Sequence, residues 1–121
     1  MAVSITNLGS PLAVKLVIDT TADATSAANV TGASGNLFLV EIDNTNNTAI
    51  SYLKLYNHAS PTVGTTAPDL VLPAPASTKL TYAIPQGVAF GTAISIAATT
   101  AGGTAGTGSP SGAVTVNILT S

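Results

Sequence analysis

The chain has 121 residues and a mass of 11.8 kDa, enough for one domain whose single core buries about two thirds of the unfolded surface. Three Lys, no Arg and five acids leave a net charge of −2, too little positive charge to line a row of phosphates or form a polybasic patch, which argues against nucleic-acid and membrane partners. With no Cys, a disulfide framework, Cys-ligated zinc, an iron–sulfur cluster and a thiol nucleophile are ruled out, and the short apolar runs are too broken to predict a membrane span.

The punctuation predicts an all-β protein, with runs rich in Val, Ile, Leu, Thr and Tyr separated by Gly, Pro, Asn and Ser clusters. Residues 1–11 read as a polar N-terminal arm that carries no export signal, and 12–121 as the folded domain. From Leu12 to Asp19, alternation puts Leu12, Val14, Leu16 and Ile18 on the core side of a strand. Thr20–Gly35 reads as a loop of small residues. The next strand, Asn36–Asp43, has apolar residues on both faces, Phe38, Val40 and Ile42 against Leu37, Leu39 and Glu41, and so is covered on both sides. Asp43–Thr48 is nearly pure turn chemistry and is expected to join two adjacent strands as a hairpin.

Ile50–Asn57 alternates Ser51, Leu53 and Leu55, the core set, with an outer set of Tyr52, Lys54 and Tyr56. Leu70–Leu72, closed by Pro73 and Pro75, reads as a short edge strand. Lys79–Ile84 presents Leu80, Tyr82 and Ile84 and ends at the turn Pro85-Gln86-Gly87, followed by the short Val88–Phe90 segment. Ala93–Ala97 offers Ile94 and Ile96 to the core. Thr99–Gly112 holds five of the chain's Gly and reads as a mobile loop, before Ala113–Leu119 closes the chain with Val114, Val116 and Ile118 inward. Seven or eight such strands predict a single antiparallel β-sandwich of jelly-roll or immunoglobulin-like type.

No residue pattern demands chemistry. His58 is the sole imidazole and lies in a loop with no nucleophile elbow beside it, and the spacing of Asp19, Asp23, Glu41, Asp43 and Asp69 does not argue that any two converge. A calcium loop beginning at Asp43 fails where Thr48 replaces the sharp-turn Gly and Lys54 the bidentate Glu. Gly102, Gly103, Gly106 and Gly108 lack the Gly-Lys-Ser/Thr and the helix of a phosphate cradle. Asn29-Val30-Thr31 and Asn46-Asn47-Thr48 match the glycosylation tripeptide, as chance allows in a Thr-rich chain. No catalytic residue, cofactor or metal is therefore expected. Charged residues are only 7% of the chain against about 25% in ordinary domains, so the surface is expected to be hydroxyl-rich or covered by partner subunits.

The segments Tyr52–Asn57, Pro61–Thr65, Leu70–Pro75, Pro85–Phe90, Ala93–Thr100 and Val114–Asn117, taken in that order, resemble small β-sandwich virion proteins of tailed bacteriophages, including head-decoration or cement proteins. The resemblance spans roughly residues 38–119, leaves the first 35 or so unmatched, and transfers no functional residue. It implies a capsid decoration protein on the virion surface, made in the host cytoplasm. Its implied partners are the major capsid protein and copies of itself, as a homotrimer bracing shell subunits. Candidate contacts are Met1, Ala2, Val3, Ser4 and Ile5 of the arm, with Tyr52 and Tyr56. A tail, baseplate or fibre component is the alternative in the same class. A carbohydrate-binding module using Tyr52, Tyr56 and the Asn-rich turn comes from another, and a small hydrolase using His58 is the weakest.

Overall fold

The computed structural model describes residues 2–7 and 15–121. Among them are eight strands and no helix: β1 (Val3–Asn7), β2 (Lys15–Ala22), β3 (Gly35–Asp43), β4 (Ser51–Tyr56), β5 (Leu70–Ala74), β6 (Lys79–Phe90), β7 (Ser95–Thr99) and β8 (Val114–Thr120). All pairings are antiparallel, in a five-stranded sheet ordered β1-β2-β8-β3-β6 and a three-stranded sheet ordered β5-β4-β7. Val17, Val40, Ile42, Val116 and Ile118 of the first sheet and Leu53, Leu55 and Ile96 of the second are buried in one core, the arrangement of a β-sandwich.

The stretch expected to be a loop at 20–35 supplies a missing strand. Ala27 and Ile96 exchange backbone hydrogen bonds of 2.8 and 3.0 Å, Val30 N–H donates to Ile94, and Ala98 N–H donates to Asp23, so residues 23–30 run along the outer edge of β7. With that segment counted, β2-β8-β3-β6 lies opposite (23–30)-β7-β4-β5. This is the double Greek key of a jelly roll, with β1 added beside β2.

In β2 it is Val17 and Asp19 that are buried, opposite Ile118 and Val116, while Leu16 and Ile18 are half-buried on the outer face; Leu12 and Val14 lie outside the described residues. An unbroken Leu-Val-Ile run does not reveal its own phase; the register with β8 sets it. The Asn-rich turn after β3 is not a hairpin, because β3 belongs to the larger sheet and β4 to the smaller. Pro85-Gln86-Gly87 does not end a strand: β6 runs on to Phe90, and residues 84–87 form a bulge between the pairs Leu39–Ala83 and Leu37–Val88. An edge strand tolerates Pro85, and Gly87 takes φ +78°, where side chains are strained, with a would-be Cβ 2.9 Å from the Phe38 ring. The same irregularity shifts β3, so Leu37 joins Val40 and Ile42 inside while Phe38 is left half-buried. The Gly-rich loop, expected to be mobile, is tied onto β4.

Candidate interaction surfaces

The outer face of the small sheet was expected to be exposed, with Tyr52 and Tyr56 as contacts. Instead Lys54 and Tyr56 are fully buried, as are Ser95, Ala97 and Thr99 beside them on β7. The Gly-rich loop covers the Lys54 end of this face: Lys54 Nζ donates to the Gly103 and Gly106 carbonyls at 2.7 and 2.9 Å, and the ring of half-buried Tyr52 lies so near Gly102 that an added Cβ would stand 3.0 Å from it. The glycines thus present carbonyl oxygens to a cation, the reverse of a phosphate cradle. Burial pushes the Lys54 pKa down and the Tyr56 pKa up, and the Tyr56 hydroxyl has no hydrogen-bond partner. Tyr56 is therefore withdrawn as a surface contact. One signal pointed to this layer: a lone Lys between Leu53 and Leu55 in a chain with only three.

The Asn-rich turn is equally turned inward. Asn44 is fully buried; its Nδ2 lies 3.0–3.1 Å from the carbonyls of Ala49, Ala74 and Pro75, and its Oδ1 accepts from Asn47 Nδ2 and Ser51 Oγ, both at 2.9 Å. Asn47 in turn accepts the Gly112 N–H at 2.7 Å and donates to the Gly112 carbonyl. These amides join the ends of β3, β4, β5 and the approach to β8. Asp43 accepts from the Thr45 N–H and hydroxyl, which hold its carboxyl below the usual range, as a turn requires. His58 is an exposed loop residue whose Nδ1 accepts the Ser60 N–H, and among the described residues no three His, Asp or Glu side chains gather as a metal site.

Of the arm, Met1 lies outside the described residues. Ala2, Val3, Ser4 and Ile5 are exposed, and 3–7 form β1 on β2 rather than a free extension. Val3 and Ile5, 37% and 48% exposed, point to the inner side, opposite Asp19 and Val17. Beyond them no strand of the small sheet reaches, and a cleft of about 310 Å³ lies between these two side chains and Ala27–Val30. At the other margin of the sandwich, Tyr82 OH donates to the Pro73 carbonyl and bridges β6 to β5.

The outer face of the large sheet carries an apolar surface, to which Leu16 and Ile18, expected on the core side, contribute. Leu16, Leu119 and Leu39 are register partners across β2, β8 and β3, all half-buried, with Ile18 and Phe38 beside them. The next row is polar: Asn117 donates to Glu41 at 2.9 Å, and Lys79 approaches Glu41 at 3.6 Å. Every described strand of the second sheet lies on the opposite side. Comparison of the chain with family models, curated proteins and solved structures found no match.

Proposed function

We propose that this chain is a virion structural protein of a tailed bacteriophage, a decoration that binds between shell subunits and among copies of itself. The observation that carries this reading is the Leu16–Leu119–Leu39 row, large apolar side chains on the outer face of a sheet in a charge-poor molecule. A face of this kind contributes by the area it hides from water, and its polar neighbours Asn117, Glu41 and Lys79 fix the orientation of whatever lies on it. Jelly rolls recur in viral shells and in lectins, so the fold alone is an argument by analogy. The sugar-binding alternative loses residues it would use, since Tyr56 and Asn44 are buried and Asn44 bonds within the turn. A threefold arrangement, as the resemblance implies, would join copies by unlike faces.

The test is binding of the purified protein to phage heads that lack it. Leu39→Asp and Leu119→Asp, both on the outer face, are expected to leave the melting temperature within a few degrees of wild type and to weaken head binding at least about tenfold, or about 1.4 kcal/mol. Unchanged binding by both variants would contradict the proposed face.

A further inference from the structure

We infer that β1 is a self-association edge: two copies pair their β1 strands antiparallel about a two-fold axis at Ile5, joining two five-stranded sheets into one of ten. Every other sheet edge among the described residues is guarded. β5 carries Pro73 with Pro75 beyond it; β6 carries Lys79, Pro85 and the bulge at 84–87; β7 is covered by residues 23–30, an edge segment that carries the charge of Asp23 and turns out of extended backbone at Asn29, φ 50°. β1, Val-Ser-Ile-Thr-Asn, has no proline, no charge and no register shift, none of the devices by which natural sheets block edge-to-edge pairing.

The backbone groups of β1 also point the right way. Thr20 N–H donates to the Ala2 carbonyl at 2.9 Å, which makes positions 2, 4 and 6 the ones bonded to β2 by antiparallel alternation. The N–H and C=O groups of Val3, Ile5 and Asn7 therefore point away from the sheet. With Ile5 opposite Ile5 of the second copy, Val3 falls opposite Asn7, and all three outward positions of each strand find partners.

The occupant that fits is a second copy. An uncharged strand meeting itself sets no like charges opposite one another. The two-fold also brings together the two exposed Val3 and Ile5 pairs and opens the two clefts onto each other, so apolar surface exposed in one copy is covered by the same surface of the next. A strand pair roughly 17 Å long with two closed clefts buries on the order of 1,000 Å², the lower bound for a specific contact, so the association is concentration-dependent. This inference stands apart from the decoration reading: the contact would hold in solution, and can equally join neighbouring threefold assemblies.

Because the chain has no cysteine, Ile5→Cys places one thiol at the two-fold. Cα atoms of a bonded antiparallel pair stand about 5.5 Å apart, within disulfide range. Under mild oxidation Ile5→Cys is expected to cross-link to a dimer much faster than Thr81→Cys, an exposed control on β6. In the wild type, exchange of the Ile5 amide should slow as concentration rises from micromolar to submillimolar, and Ile5→Pro, which removes only an outward N–H, should lower the mass seen by light scattering at the higher concentration. Equal cross-linking of the two cysteine variants, or Ile5 exchange independent of concentration in any oligomer, would overturn the inference. Either result leaves head binding to be judged separately.

Discussion

At the scale of single residues, the molecule places polar groups where its composition makes them scarce. Asp19 is fully buried on the inner face of β2; one carboxylate oxygen accepts the Thr21 N–H at 3.0 Å and the other has no partner among the described residues. Burial raises its pKa, opposed by the hydrogen bond from the Thr21 backbone. A raised folded value means that the proton is held more tightly in the folded chain, so the stabilising contribution is full below the unfolded pKa and is lost as pH rises through the folded one. Asp19→Asn should therefore raise stability at pH 7 by on the order of 1–2 kcal/mol and show little gain near pH 3, measured by urea unfolding at both. Asn44 is the opposite case, a neutral amide whose every polar atom is engaged. Asn44→Asp keeps the shape but turns a donor facing three carbonyls into an acceptor, and a loss of about 3 kcal/mol is expected in the same unfolding measurement. The sequence showed Asn44 as turn chemistry and Asp19 as an outward residue, because neither burial nor partner can be read from a residue type.

Among elements, strands whose two faces differ were legible and those apolar on both were not. Val114, Val116 and Ile118 alternate with Thr115 and Asn117, and the strand faces as its pattern says. Leu16-Val17-Ile18 and Leu37-Phe38-Leu39-Val40 have no polar residue to set the phase, and the bulge at Phe38 shifts it within one strand. The Gly-rich loop was misread for a related reason: composition counts the apolar area a segment offers, but this one is held by its own carbonyls through Lys54. Lys54→Met keeps the hydrocarbon stem and removes the donors, so the Gly106 amide, bonded to the Gly103 carbonyl, is expected to exchange at least tenfold faster, about 1.4 kcal/mol of local stability. Its lowered pKa adds a signature. Between that value and the ordinary one the unfolded chain binds more protons than the folded, so wild-type stability gains a rising component with alkaline pH, which Lys54→Met should lack.

Taken whole, the molecule closes one margin of its sandwich with the Tyr82–Pro73 bond and leaves the other open at β1, while a leucine row crosses the outside of its larger sheet. The class of fold was readable from the count and spacing of strands. The leucine row and the cleft were not, because each is made by register between segments far apart in sequence, as Leu16, Leu119 and Leu39 show. Both features put apolar side chains where another molecule can cover them, the property on which the decoration proposal depends. The most direct measurement is quantitative mass spectrometry of purified phage particles, comparing this chain with the major shell protein. Near-stoichiometric abundance is the predicted result; a few copies per particle would move the protein to the tail or fibre, and its absence from particles would contradict a virion role.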